Sequence, residues 1–314
     1  MQTISLGKTN LQVSSLCLGT MHFGSRESKE TSYRILDQYI DAGGSFLDTA
    51  NQYAFWLPGF AGGESETLLG KWMRERKNRE RVVIATKVGF PYLGVEQGLR
   101  ASQIEAECEK SLKRLGIETI NLYYAHGDDR HTPLEETIEA FSRLVQAGKV
   151  QYIGASNFVT WRLAEACLTS QLNGCPEYCC IQQRYSYVQP RAGAIFDYQQ
   201  VAVNAELLDY CEYKGIGLLA YSVLLNGAYT RADRVFPLQY LGSDLDVRLA
   251  TVKRIAQELG VTVNQVILAW MVQGTPRVIP VIGASSVEQL AENIDALRIE
   301  LSSEQMDLLN TVVA

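Results

Sequence analysis

The stretch INLYYAHGDDRHTPLEETIEAFSRLVQAGKVQYIGASN, residues 120–157, holds one complete strand–helix–strand pattern. Its two ends, 120–126 and 150–157, are short apolar runs of the kind that form buried strands. Between them, residues 132–148 place apolar side chains at helical spacing, with Pro133 in the first turn. Two strands joined through a helix pair in parallel by a right-handed crossover. The stretch therefore predicts one unit of a parallel sheet that is covered by helices.

The same pattern recurs from one end of the chain to the other. Strands are predicted over 14–20, 45–50, 81–88, 120–126, 150–157, 178–186, 216–224 and 278–285, and helices over 30–43, 64–77, 102–116, 132–148, 160–170, 205–215, 286–297 and twice within 244–273. Ser102 is predicted to cap its helix, with Glu105 three residues on. Eight strands, each followed by a helix, predict a closed (β/α)8 TIM barrel. An open doubly wound sheet is the alternative, but its usual G-x-G-x-x-G turn is absent.

Two predicted elements lie outside the eight units. Residues 4–14 are predicted to form an N-terminal β-hairpin that could plug one end of the barrel. Residues 301–310 are predicted to form an extra C-terminal helix. Because no linker or low-complexity tract divides the sequence, we expect a single domain over 1–314.

Composition excludes several classes of protein. The net charge of −6 offers no basic field for nucleic acid or for an anionic membrane surface. No apolar run is long enough to span a membrane, and the N-terminus lacks the apolar core of a signal peptide. We therefore expect a cytoplasmic protein. Its seven cysteines follow no framework spacing, so we expect reduced, buried thiols rather than disulfides or metal ligands.

Four side chains that carry chemistry follow the predicted strands. Asp48 and Tyr53 come after the second strand, Lys87 ends the third, and His126 ends the fourth. The carboxyl ends of barrel strands share one rim, so these four residues are expected to converge. A lysine ammonium lowers the pKa of a nearby phenol from its usual value near 10, and an aspartate keeps a buried lysine charged. A histidine can orient a substrate oxygen.

Such an arrangement suits proton donation to a developing alkoxide, which forms when a carrier transfers hydride to a carbonyl group. The rest of the rim fits such a carrier. Asn157 and Gln182 can hydrogen-bond a carboxamide, and Tyr221 can stack on a flat ring. Residues 283–293 place glycine and serine N–H groups at a helix start, which suits phosphate, and end with polar side chains suited to an adenine edge.

The motifs LDTANQY, IATKVG, YYAH, GKVQYIGASNF, AYSVL and VIGASSVEQLAENIDAL resemble, in this order, those of the aldo-keto reductase superfamily. The resemblance covers nearly the whole chain. It implies a (β/α)8 barrel, an NADPH-dependent carbonyl reductase, and a catalytic tetrad (Asp48, Tyr53, Lys87 and His126) in which Tyr53 is the general acid. It also implies cofactor contacts from Thr20, Met21, Asp48, Ser156, Asn157, Gln182, Tyr221, Ser222, Leu224, Asn226, Arg231, Gly283, Ser285, Gln289, Glu292 and Asn293.

Three features depart from the family pattern. Gln289 stands where some members have arginine, so the preference for NADPH over NADH would require a cation such as Arg231. Val223 stands where proline is common. The loop over 54–63 is longer than in many members. Its Phe55, Trp56 and Phe60 either form an aromatic wall over the substrate or anchor the loop itself.

Several functions remain open at this point. The substrate could be an apolar or aryl aldehyde or a sugar-like carbonyl, and the reaction could run as polyol oxidation. A redox-sensing, NADPH-binding partner protein with little turnover is a second interpretation. A hydrolase with two carboxylates is a third, but only Asp48 is well placed for it. Asp128 and Asp129 are predicted to be solvated loop residues. The sequence indicates no oligomeric state.

Overall fold

The computed structural model of the protein describes residues 1–311. A two-stranded antiparallel hairpin, β1 (Thr3–Ser5) and β2 (Gln12–Ser14), precedes a closed barrel of eight parallel strands. The barrel strands are β3 (Cys17–Gly19), β4 (Phe46–Asp48), β5 (Val83–Val88), β6 (Ile120–Ala125), β7 (Val150–Ser156), β8 (Cys180–Arg184), β9 (Gly217–Tyr221) and β10 (Val278–Ile282). They pair in chain order, and β10 closes the barrel against β3. The predicted (β/α)8 barrel is confirmed, whereas every strand is shorter than the run that predicted it.

Ten α-helices accompany the strands in the described part of the chain. They are α1 (Lys29–Asp41), α2 (Glu64–Arg76), α3 (Ala101–Leu115), α4 (Leu134–Gln146), α5 (Thr160–Leu172), α6 (Ala205–Lys214), α7 (Leu245–Leu259), α8 (Val263–Gln273), α9 (Val287–Asp295) and α10 (Ser303–Asn310). Among residues 1–311, no helix alone has the length and apolarity to cross a membrane; the pair α7 and α8, bent by 97°, meets those two criteria together.

Two expectations about helix starts are wrong. Ser102 lies inside α3 and Arg100 takes the cap position, where its side chain makes no capping bond. The N–H of Ala101, which has no partner within α3, instead donates to Glu136 Oε1 of the neighbouring helix α4, at 2.9 Å. Pro133 is the cap residue of α4 and not part of its first turn. In α3, a partner distant in sequence thus replaces the local capping that the sequence pattern indicated.

The hairpin closes the amino-terminal end of the barrel. Its apolar residues Leu6, Leu11 and Val13 pack with the side chains that fill the barrel interior, including Phe46 and Leu122. Gly7 has a φ of +56° and lies so close to the start of β8 that a Cβ atom would meet the Cys179 carbonyl oxygen at 2.5 Å. The predicted plug is therefore confirmed, and the opposite, carboxyl-terminal mouth is the end that remains open to a ligand.

All seven cysteines lie within residues 1–311, and none of them forms a disulfide there. Five of them are buried, as the sequence led us to expect, and they pack as small apolar side chains. Cys175 and Cys179 are partly exposed, so burial was wrongly expected for these two.

Candidate functional site

Lys87 lies at the centre of the polar cluster in the barrel mouth. Its Nζ donates to Asp48 Oδ1 at 2.5 Å, to Tyr53 Oη at 2.8 Å and to the Thr49 carbonyl oxygen at 2.8 Å. The lysine side chain is fully buried and that of Asp48 nearly so. Three ammonium donors therefore meet three acceptors, which is the condition for keeping such a charge away from water. The structure brings together these residues from β4, β5 and the loop after β4.

Burial and charge act against each other in the pKa values of this cluster. Burial lowers the pKa of Lys87, but the Asp48 carboxylate and the Tyr53 phenol outweigh it and raise the pKa above its usual value. Burial raises the pKa of Tyr53 to about 12, although the Lys87 ammonium opposes this shift. The expected net lowering of the Tyr53 pKa is thus wrong, because desolvation of the phenolate outweighs the effect of the Lys87 ammonium. Tyr53 is consequently a protonated phenol at neutral pH, which is the form that an acid requires.

His126 joins the cluster from the end of β6. Its ring stacks on Phe90, with the ring centroids 4.3 Å apart, and presents an edge to Tyr53 at 6.1 Å. Burial, and then the charge of Lys87, lower the His126 pKa well below its usual value, so the ring is neutral at neutral pH. Its Nδ1 atom is buried and has no hydrogen-bond partner among the described residues.

Phe90, which stacks on His126, was missed in the sequence, where it follows strand β5 in a loop without any motif.

The residues expected to hold a carboxamide are bonded to this cluster. Gln182 Nε2 donates to Asp48 Oδ2 at 2.8 Å, and Ser156 Oγ donates to the Gln182 carbonyl oxygen at 2.8 Å. Asn157 has a φ of +59°, and its amide nitrogen donates to the His126 carbonyl oxygen at 2.9 Å. Tyr221 Oη donates to Asn157 Oδ1 at 2.7 Å. One network therefore joins the amide-rich part of the mouth to the tetrad.

Two further residues expected at the cofactor follow strand β3. Thr20 is buried, and its Oγ1 donates to the Asp48 carbonyl oxygen at 2.9 Å. Met21, by contrast, is an exposed apolar side chain. Thr20 thus holds the backbone beside the tetrad in place, whereas the Met21 side chain is exposed at the rim of the barrel mouth.

The loop after β9 has a strained backbone. Ser222, Leu225 and Asn226 have φ values of +58°, +45° and +56°, in the left-handed region that side chains other than glycine rarely adopt. Such conformations occur preferentially at binding sites, where the surrounding structure enforces them. Leu224 packs against the apolar core. Arg231 points to solvent and pairs with Asp233 at 2.7 Å.

The helix start expected to hold phosphate is covered by its own side chains. The Ser285 N–H donates to Gln289 Oε1 at 2.9 Å, and the Asn293 amide donates to the Gly283 carbonyl oxygen at 3.3 Å. Glu292 accepts a bond from Thr262 Oγ1 at 2.7 Å. Beside Gly283 the space is open, since a Cβ atom there would meet nothing within 4 Å. A phosphate can therefore approach this backbone, but it would have to displace Gln289 from the Ser285 N–H.

The aromatic loop stands beside Tyr53. The Trp56 ring lies 6.3 Å from the Tyr53 ring in an edge-on arrangement, and Phe55 meets Trp56 in the same way at 5.6 Å. Phe60 makes no ring contact with another aromatic side chain in the described chain. Trp56 thus lies beside Tyr53 with Phe55 packed on it, an arrangement that fits both a wall over the substrate and a loop anchored by its own aromatic residues.

A second buried carboxylate, Glu107, was missed in the sequence. It accepts bonds from Asn51 Nδ2 at 2.7 Å, from Tyr92 Oη at 2.5 Å and from Lys110 Nζ at 2.7 Å. Asn51 lies between Asp48 and Tyr53, and Tyr92 belongs to the loop after β5. Nothing in the helical pattern of α3 distinguished this glutamate from its solvated neighbours, because two of its partners, Asn51 and Tyr92, come from distant loops.

Asp128 and Asp129 were expected to be solvated loop residues, but both are only partly exposed and both are bonded to neighbouring groups. Asp128 pairs with Arg162 at 3.0 Å and with Arg130 at 3.1 Å. Asp129 accepts bonds from the Leu99 N–H at 2.9 Å and from Thr132 Oγ1 at 2.7 Å. Both carboxylates are therefore engaged in fixing loops. Neither stands ready opposite Asp48, as a hydrolase with two carboxylates would require.

The sequence model of the Aldo/keto reductase family matches residues 15–314. The protein is therefore an oxidoreductase of the aldo/keto reductase family. The chain is 34% identical to an uncharacterized oxidoreductase, YrpG, of Bacillus subtilis, over 99% of this chain and 96% of the relative. It is 34% identical to a norsolorinic acid reductase of Emericella nidulans, over 94% of this chain and 77% of the relative.

Two further similarities bear on chemistry and fold. The chain is 30% identical to an aryl-alcohol dehydrogenase of Pestalotiopsis microspora, over 96% of this chain and 81% of the relative. Its structure is similar to the crystal structure of a thermostable aldo-keto reductase in complex with the inhibitor epalrestat, with a TM-score of 0.78, 30% identity and full coverage of both chains. The resemblance inferred from the motifs is thereby confirmed.

Proposed function

We propose that this protein reduces an aldehyde or ketone to the alcohol with NADPH as the hydride donor. The observation that carries the proposal is the position of Lys87 Nζ, which is itself fully buried and contacts Asp48 and Tyr53 at once. A phenol held on a buried ammonium can release its proton as the carbonyl oxygen becomes an alkoxide, because the ammonium stabilises the phenolate that forms.

Each member of the tetrad has one task in this proposal. Tyr53 donates the proton, and Lys87 stabilises the resulting phenolate. Asp48 keeps Lys87 charged and in place. His126, whose ring is neutral, offers a hydrogen bond that orients the carbonyl group.

The donor set of the mouth fits a nicotinamide cofactor. The hydroxyl and amide side chains of Ser156, Asn157 and Gln182 suit a carboxamide, and the ring of Tyr221 suits stacking on a planar heterocycle. When bound there, the cofactor supplies hydride. Gln182 uses its side-chain amide nitrogen to donate to Asp48, so its side-chain oxygen, Oε1, remains to accept a bond from the cofactor.

The phosphates and the adenosine would lie along the two segments after β9 and β10. The residues that would hold them are Ser222, Leu224, Asn226, Arg231, Gly283, Ser285, Gln289, Glu292 and Asn293. NADPH is proposed over NADH because Arg231 can exchange Asp233 for a phosphate.

An aromatic carbonyl compound is the proposed substrate. Trp56 and Phe55 line the approach to Tyr53, and Phe90 backs His126. The names of two relatives, a norsolorinic acid reductase and an aryl-alcohol dehydrogenase, agree with this class.

The test is NADPH oxidation with a reactive aryl aldehyde, for the wild type and for Tyr53→Phe. We expect turnover that falls at least about a hundredfold in the variant, since a general acid contributes on this scale. The dissociation constant for NADPH should change little, because the ring of residue 53 remains. Binding of NADPH by both proteins without turnover by either would favour the redox-sensing function instead. A protein that binds no NADPH would contradict both.

A further inference from the structure

Arg184 occupies a place in the barrel mouth for which the proposed reaction gives no task. It ends β8, where it pairs in register with Tyr221 of β9. Side chains alternate along a strand, and Gln182 reaches Asp48 inside the barrel. Arg184, two residues later, therefore also points inward and lies about 7 Å nearer the open mouth.

The guanidinium group is held in one orientation by neutral partners. Its Nε and Nη2 atoms donate to Gln200 Oε1 at 3.0 and 2.6 Å, and Nη1 donates to Tyr240 Oη at 3.4 Å. The cation lies over the ring of Phe196 at 4.7 Å and over that of Tyr221 at 5.5 Å. Loops after β8 and β9 thus supply a rigid frame around a positive charge.

No carboxylate of residues 1–311 forms an ion pair with this arginine. Other cations of the mouth differ in this respect: Lys87 pairs with Asp48, Arg231 with Asp233, and Arg248 with Asp244. A partly buried cation without a counter-charge is unfavourable, and a fixed guanidinium fork matches the geometry of a carboxylate. An anionic ligand would compensate the charge.

We infer that Arg184 binds an anionic group, a carboxylate in the first instance, on the carbonyl substrate. The inference rests on the proposed reductase function and adds a substrate class to it, namely an aromatic aldehyde or ketone that carries an acid group. Such a group would dock beside Tyr221 while the carbonyl lies deeper, at Tyr53 and His126.

The cofactor phosphates are the other source of the same chemistry. Their proposed sites follow β9 and β10. Those after β10 lie two strands from β8, a separation of about 10 Å, and the segment after β9 carries its own cation, Arg231. This arrangement favours the substrate as the bearer of the anion.

The experiment compares 4-carboxybenzaldehyde with its methyl ester at saturating NADPH, for the wild type, Arg184→Met and Arg234→Met. Arg234 is a matched control, an exposed arginine after β9 whose nearest acid is Asp233. For Arg184→Met we expect kcat/KM to fall about 10- to 100-fold with the carboxylate, as for a lost hydrogen bond to a charged group, and less than about threefold with the ester. Arg234→Met should leave the ratio of the two substrates unchanged.

Two outcomes would overturn the inference. In the first, kcat/KM of Arg184→Met falls equally for the acid and the ester, which would mean that Arg184 only holds Tyr221 in place. In the second, the ratio of kcat/KM for the two substrates is unchanged while the NADPH dissociation constant rises, which would assign the anion to the cofactor. Turnover of the ester by the wild type tests the proposed function separately. Calorimetric titration with 4-(hydroxymethyl)benzoate and its methyl ester decides the question even without turnover, because the wild type and Arg234→Met should prefer the carboxylate whereas Arg184→Met should not.

Discussion

The two sides of the barrel mouth hold their charges in opposite ways. On the side of β4 to β6, the Lys87–Asp48 pair has side-chain exposures of 0% and 2%. On the side of β9, the Arg231–Asp233 pair has exposures of 55% and 62%. The buried pair is surrounded by bonded neighbours, so its geometry is set before any ligand arrives. The exposed pair can exchange partners at little cost, which suits a charge that must grip a ligand and release it.

The backbone conformation also differs between the two sides of the barrel mouth. On the tetrad side, the side chains follow regular strands, and Asp48 and Lys87 lie within them. On the side proposed to bind the cofactor, Ser222 and Asn226 are held in left-handed conformations, and Gln289 covers the Ser285 N–H that a phosphate would use. Preorganisation therefore belongs to the side proposed to donate the proton, whereas the proposed phosphate-binding side would have to rearrange when a ligand binds.

The largest effect that would test this contrast is expected from Lys87→Met. The substitution leaves Asp48 buried with its Lys87 partner removed, and breaking a buried pair in this way costs about 3–5 kcal/mol. Urea denaturation should show a loss of unfolding free energy of this size. Activity should fall at least as far as in Tyr53→Phe, because the phenolate loses its stabilising charge.

Asp48→Asn in the Lys87→Met background provides the control. Removing the stranded charge should restore part of the lost unfolding free energy while the protein stays inactive. If the double variant is as unstable as the single one, the loss comes from the lysine's packing and its bond to Thr49, and the buried charge is not its cause.

The intermediate effect concerns the exposed pair. Arg231→Ala should leave the unfolding free energy nearly unchanged, since exposed ion pairs contribute little. The same substitution should raise the dissociation constant for NADPH about tenfold at low salt, and less at high salt, where charges are screened. Fluorescence titration at two ionic strengths measures the NADPH dissociation constant at low and at high salt. An unchanged affinity would remove Arg231 from the phosphate site.

The sequence predicted the fold and the tetrad because both depend on local patterns. Alternation of strand and helix predicts the barrel, and the barrel brings Asp48, Lys87 and His126 to one rim wherever they lie in the chain. What failed depends on partners distant in sequence. Glu136 caps α3 in place of Ser102, and the loop carboxylates expected to be solvated bind arginines and backbone N–H groups.

The sequence also could not predict the direction in which the pKa of a buried group shifts. The neighbours of Tyr53 were identified correctly, but the direction of its pKa depends on how much water reaches the phenol. Only the structure shows that burial exceeds the effect of Lys87. The same holds for Arg184, which the sequence shows as one more charged residue at a strand end. Its lack of a counter-charge is a property of the folded mouth.

The smallest effect is expected from the pH dependence of His126. Burial, then the charge of Lys87, keep its folded pKa well below the value of about 6.5 that it has in the unfolded chain. Below pH 6.5 the unfolded state thus binds a proton that the folded state does not, so stability falls as the pH falls towards the folded pKa. Between pH 7 and 5.5 this residue should account for a loss of about 1 kcal/mol. In His126→Gln the same pH interval should cost about that much less, measured by urea denaturation at each pH. Equal slopes in the two proteins would mean that the His126 ring is protonated in the folded state, and that the tetrad side admits more water than its packing indicates.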